Sequence, residues 1–167
     1  LPLDGEAALE LPGAAAHPGY PLALAVSARF ASNRADVTVT EELCRAAEAN
    51  ERRDPHDWRV EEVICDARSI IAVTVGAFAD AARLDEQAAA IARTGGDLAD
   101  ASLQLGVAAT IYLVGGDAPR AIPLAREALK LNPRDVAAHA VLGASLARTG
   151  RLDEGAREIE AALAING

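Results

Sequence analysis

Three histidines, two cysteines and several adjacent carboxylates are the side chains with the greatest capacity for chemistry here. His17 lies in a stretch punctuated by Pro and Gly, His56 in the breaker "ERRDPHD", and His139 on a strongly helical run. A zinc site needs His and Cys at short fixed spacings. Cys44 and Cys65 have no such spacing, so they read as reduced thiols held inside the fold rather than as metal ligands or a disulfide. The pairs Glu41-Glu42, Glu61-Glu62 and Asp153-Glu154 could in principle divide acid and base roles. Neighbours on a helix point about 100° apart, which makes solvated faces or charges at helix N-termini the better reading. Trp58 follows Pro55 at a helix start and reads as a packing anchor. His139 reads as a packing residue between helices, and Ser and Thr are scattered with no base nearby in sequence. No zinc-protease, CxxC, nucleophile-elbow or dinucleotide-binding pattern occurs, and no P-loop. The pattern predicts no catalysis, no cofactor and no metal site.

The elements that would position any site are helices. Of 167 residues 51% are apolar but only 3% aromatic, so the apolar content is chiefly Ala. Alanine has the highest helix propensity and lets helices approach closely. The net charge of −9 argues against a nucleic-acid surface, which needs a basic stripe. The apolar run "SIIAVTVGAFA" (69–79) is flanked by charge and falls short of the roughly 18 residues that span a bilayer. The chain starts at Leu1 with no basic leader. It reads as a piece of something longer or a processed chain, with the cytoplasm as its expected location and no membrane partner.

Residues 1–18 carry Pro and Gly between short apolar stretches and read as a linker or the edge of a preceding unit. From there the chain predicts helices over 21–33, 37–50, 58–75, 78–94, 98–114, 118–132, 136–149 and from about 151 to the end. Gly76, Gly95-Gly96, Gly115-Gly116 and Gly150 supply the stops. Asp117 and Asp135 supply N-caps, and Pro123 is expected early in its helix. This is an all-α chain of about four antiparallel helix pairs, with no strand candidate of weight.

The pairs repeat. Gly116 and Gly150 are separated by about 34 residues, a period typical of paired-helix repeats. Each is followed by a charged turn and an Ala-rich helix. In 102–133, Leu105, Ala109, Tyr112, Ala121, Ala128 and Pro133 fall at the positions of the tetratricopeptide pattern. In 136–167, Leu142, Gly143, Leu146, Gly150, Ile159 and Ala162 do so. This half resembles the tetratricopeptide repeat family, with His139 at a bulky position and Gly155 where Ala is usual. Upstream, Gly76, Phe78, Ala81 and Ala88 keep the pattern, but Asp85 stands where a bulky residue belongs and the spacing from Gly76 to Gly116 is longer. The wording of 76–129 is also similar to the C-terminal helical repeats of actinobacterial signalling ATPases and transcriptional regulators.

The resemblance implies a TPR-like superhelix, an α-solenoid over 19–167 with units at about 19–50, 55–95, 98–133 and 134–167. It implies a concave groove at Val63, Asp66, Ile70 and Val73, then Leu103, Gly106, Thr110, Leu113 and Val114, then Ala137, Ala140, Ala144, Ala147 and Arg148. Such a surface is apolar and small, with Arg148 as its one cation, and suits a protein or peptide segment. At the far end Leu152, Ile159 and Leu163 would lie poorly covered, which predicts self-association or contact with further repeats. The function expected is a non-catalytic interaction module, the partner- or signal-sensing part of a bacterial regulator. Two alternatives stand beside it. One is an intramolecular clamp on an attached ATPase or DNA-binding domain. The other is a small-molecule sensor with a pocket around Trp58, Tyr112 and the groove.

Overall fold

A computed structural model of the chain describes residues 13–51 and 57–166. After a 3-10 turn at Ala14–Ala16 come eight α-helices: α1 (Tyr20–Asn33), α2 (Val37–Glu51), α3 (Trp58–Thr74), α4 (Phe78–Thr94), α5 (Leu98–Val114), α6 (Ala118–Leu131), α7 (Val136–Arg148) and α8 (Leu152–Asn166). No strand occurs among the described residues. The bounds agree closely with the sequence reading. The expected linker is described only from Gly13; residues 1–12, residues 52–56 within the breaker, and residue 167 lie outside the described residues.

The stops have one physical origin. Gly76, Gly96, Gly116 and Gly150 take φ of 79°, 87°, 91° and 83°, a left-handed conformation that a Cβ disfavours. In each case the next N–H turns back onto the helix just ended. Ala77 donates to the carbonyl of Ala72, Asp97 to Ala92, Asp117 to Tyr112 and Arg151 to Leu146, at 2.8–2.9 Å. This satisfies carbonyls that the helix end would leave open. The first turn uses the same device with the wrong residue: Ala35 sits at φ 57° while Asp36 donates to Ala31. At the other end of the turns, Asp57, Asp97, Asp117 and Asp135 accept backbone N–H groups of the first helical turn. Pro123 is exposed and stands at the sixth position of α6. That is beyond the first turn, where a missing N–H is harmless, so α6 forgoes one internal hydrogen bond.

Each helix packs on the next, α2 only lightly on α3. α1 also packs on α3, and α5 on α7. α3 lies chiefly on α1 rather than on α2. Two hydrogen-bonded ion pairs bridge the lighter contact. Arg68 of α3 reaches Glu41 through Nε and Nη2 (3.1 and 3.0 Å) and Glu48 through Nη1 (2.8 Å), both on α2. The Arg68 guanidinium accordingly holds the Glu41 carboxyl below its usual range.

The apolar interior has two main parts. Leu24, Ala25, Ala28, Cys44, Ala47, Val60, Ile64 and Ala67 close together between α1, α2 and α3. Ala81, Ala108, Tyr112, Ala121, Ile122, Leu142 and Leu146 close between α4, α5, α6 and α7. Small residues set the distances. A Cβ on Gly155 would stand 2.7 Å from the Gly143 carbonyl oxygen, and one on Gly143 2.9 Å from the Gly155 oxygen. So α7 and α8 nearly touch there. A Cβ on Gly95 would run into the Trp58 ring, and one on Gly115 would stand 2.7 Å from Phe78 Cβ. Both glycines have ordinary right-handed φ, so the aromatic neighbour, not the turn, requires them.

That pairing gives the longer upstream spacing of the sequence reading its structural form. α3, α4 and α5 are each 17 residues long. They begin at Trp58, Phe78 and Leu98, evenly spaced along the chain. A helix pair in this part is longer than the Gly116-to-Gly150 interval, which recurs only between the starts of α6 and α8 at Ala118 and Leu152. No described helix is long and apolar enough to cross a membrane.

Candidate functional site

The α5 and α7 helices touch, and between them opens a cleft of about 200 Å³ lined by Leu103, Gly106, Val107, Thr110, Ile111, Asp135 and Ala137. α5 contributes the stripe 103, 106, 107, 110 at helical spacing, one face of the cylinder. Leu103 is 56% exposed, and Gly106 leaves room beside it, its nearest foreign atom being Asp135 Oδ2 at 4.0 Å from an added Cβ. The Thr110 hydroxyl donates back to the Gly106 carbonyl at 2.9 Å, so its proton is spent on the helix itself. Asp135 is the charged residue of the rim, and it already accepts from the Ala138 N–H. A cleft of this composition offers mostly apolar surface for burial.

The groove positions implied by the family resemblance divide. Leu103, Gly106, Thr110 and Ala137 meet in this cleft. Leu113 is half-buried, and its carbonyl accepts from Arg148 Nη1 at 2.9 Å, which spends part of the guanidinium on the fold. Val63, Ile70 and Val73 are half-buried on α3. Val63 packs against the α1–α3 core and Val73 against the other. Asp66 is buried and paired with Arg29 Nε at 2.5 Å, so it is a structural ion pair rather than an open groove residue. On α8, Leu152 and Leu163 are 66% and 67% exposed, and Ile159, at 38%, lies partly over Gly143.

Other chemistry-bearing residues are committed to the fold. His139 Nδ1 is 2.7 Å from Glu158 Oε2 and its Nε2 3.2 Å from the Pro133 carbonyl, bridging α7, α8 and the preceding turn. Tyr112 is buried, with its hydroxyl donating to Glu86 at 3.0 Å and the Arg120 guanidinium 5.7 Å from its ring centroid. Trp58 lines a shallow cleft with Glu61, Ala90, Ile91 and Thr94, apart from Tyr112. Cys44 and Cys65 are both free thiols. Burial pushes each up to about 11, well away from a reactive thiolate. Cys65 borders a cleft of about 440 Å³ between α2, α3 and α4, with Glu48, Glu61 and Arg68 around it. His17 makes only a local turn, accepting from the Gly19 N–H, and His56 lies outside the described residues. No group of His, Cys, Asp and Glu suited to a metal ion occurs among the described residues.

The sequence reading missed a buried acidic group and misassigned one of its members. Glu62, taken as half of a solvated pair, is buried and accepts from Gln104 Nε2 of α5 at 2.7 Å. Asp85 is fully buried and accepts from the Ser69 hydroxyl at 2.8 Å, while its Oδ1 has no hydrogen-bond partner. Burial pushes both carboxyls up to about 7. Burial also raises Asp100, reinforced by Asp97 beside it. A signal existed: Asp85 lies on the same face of α4 as Ala81, Ala82, Ala88, Ala89 and Ala92, all buried. A charge in the middle of an apolar stripe is a buried charge.

No protein-family model matches the chain, and no curated protein matches it.

Proposed function

We propose that this chain is a TPR-like α-solenoid of four helix pairs that serves as a non-catalytic protein-interaction module. It takes an apolar peptide segment of a partner protein into the cleft between α5 and α7. The carrying observation is the cleft itself: Leu103, Val107, Thr110 and Ala137 present an accessible apolar surface with one charged rim residue, Asp135. The stacked arrangement is supported by the shared glycine stop and by the packing of alternate helices, α1 on α3 and α5 on α7. A single helix pair cannot bury its own apolar face, so pairs stack and leave a continuous surface. Such a surface takes an amphipathic helix or an extended apolar segment. The role that fits is the partner- or signal-sensing part of a bacterial cytoplasmic regulator. The test is selection of displayed peptides on the intact chain, repeated with Leu103→Asp. Apolar peptides that bind the parent chain and lose at least tenfold affinity to the variant support the reading. Peptides that bind both equally place recognition elsewhere and sink it.

A second reading is favoured by the exposed stripe Leu152, Ile159 and Leu163 on α8: the module pairs with another copy through this end. Light scattering over a concentration series, comparing the intact chain with Leu163→Asp, decides it. An association lost in the variant supports pairing, and a monomer in both removes it.

A further inference from the structure

The two apolar cores, one built by α1–α3 and the other by α4–α7, meet at a polar seam. Ser69 and Asp66 of α3 face Asp85 of α4, and Glu62 of α3 reaches Gln104 of α5. Asp100, also on α5, stands against Glu62, and Arg29 of α1 pairs with Asp66. Four carboxyl groups thus gather from three helices, with Arg29 acting on Asp66, Glu62 and Asp100 but not on Asp85, and with Cys65 of α3 alongside. Asp85 is the innermost. None of its side chain meets solvent, one oxygen is served by Ser69, and Oδ1 has no donor. An ionised carboxylate so placed lacks the hydrogen bonds that buried charge requires. A protonated one needs far less.

We propose that this seam is a proton-controlled joint: Asp85 and Glu62 hold protons when the two halves are closed on each other, and losing them loosens α3 from α4 and α5. The proton is the ligand, and Oδ1 of Asp85, fully buried without a donor, is where its absence costs the most. The direction of the pH effect follows from the folded group being the weaker acid. Asp85 is pushed up to about 7 by burial, with Asp66 and Glu62 adding to it against the opposing Ser69 hydrogen bond. Glu62 is pushed to about 7 by burial and by Asp100 and Asp66, against Gln104 and Arg29. The closed state keeps its protons where the unfolded chain has lost them. Stability is therefore full below the unfolded carboxyl range, falls as pH rises towards 7, and levels off above it. For Asp85 alone the folding equilibrium weakens on the order of 100-fold between pH 5 and pH 8.

The direct test is a carbon-detected NMR titration of the Asp85 carboxyl in the intact chain. It is paired with melting and amide exchange at pH 5 and pH 8 for the parent, Asp85→Asn and Glu62→Gln. A midpoint near 7 is expected, with exchange in α3 and α4 rising at pH 8 more than in α7. Asp85→Asn and Glu62→Gln should each lose part of the parent's pH dependence, Asp85→Asn the larger part. A midpoint near 4, or an unchanged pH dependence in a folded Asp85→Asn, overturns the joint. Should Asp85→Asn not fold, the titration of the parent chain decides alone.

Discussion

Gly155 stands on α8 where the repeat pattern expects alanine, and replacing it with alanine sets two effects against each other. Alanine is favoured over glycine inside a helix by about 0.8–1 kcal/mol. Against that, the new Cβ would stand 2.7 Å from the Gly143 carbonyl oxygen and 3.2 Å from the Ala147 nitrogen, both backbone atoms that cannot swing aside. Forcing a methyl into a packed contact of this kind costs about 1–3 kcal/mol. The clash outweighs the propensity over most of that range, and Gly155→Ala should lose up to roughly 2 kcal/mol net. For a chain of this size that lowers the melting temperature by up to about 8 °C. Gly106→Ala is the matched control. It lies inside α5, and its added Cβ would meet nothing nearer than Asp135 Oδ2 at 4.0 Å. The propensity gain therefore stands, and Tm rises by about 2–4 °C. Thermal unfolding followed by far-ultraviolet circular dichroism reads both. Opposite signs are the expected result. A stabilised Gly155→Ala would refute the close approach of α7 and α8 and the reasoning built on it.

Three further outcomes are expected. Ala35 holds a left-handed conformation with φ 57° in the α1–α2 turn and is exposed, so Ala35→Gly should stabilise by about 1 kcal/mol in denaturant unfolding. An unchanged midpoint would show that the turn does not carry that strain. Leu146 is 1% exposed within the larger core, and Leu146→Ala should cost about 2–5 kcal/mol. A loss below ~1 kcal/mol would mean the core relaxes into the space. Removing the Arg68 bridge between α2 and α3 with Arg68→Met should raise amide exchange in α2 while leaving α7 unchanged. Uniform change along the chain would count against a local role.

The helices were legible because their ends are written in single residues. A glycine that can take positive φ and an aspartate that can cap fix a boundary locally, and both recur at most turns. The lengths between those signals were less legible. The interval from Gly116 to Gly150 invites extension upstream, yet Trp58, Phe78 and Leu98 begin helices on a longer and even period. The interlock of Trp58 with Gly95 and of Phe78 with Gly115 joins the two far ends of a helix pair, which a local reading of each turn does not connect. On the surface, Leu103, Gly106 and Thr110 could be placed because helical periodicity alone puts them on one face. Asp66 could not, because its burial depends on Arg29 from a helix two elements earlier. Glu62 beside Glu61 looks like one solvated pair, and only the approach of α5 separates their fates. Asp85 was visible as a departure from the repeat pattern, and its place in the alanine stripe of α4 marked it as buried, but its partner Ser69 lies on another helix.

The most direct test is to titrate the isotopically labelled chain with a peptide recovered by selection and to map the amide shifts. The largest changes are expected at Leu103, Gly106, Val107, Thr110 and Ala137, with little at α2 or α8. Shifts concentrated on Leu152–Leu163, or around Trp58, would contradict the cleft between α5 and α7 as the binding surface.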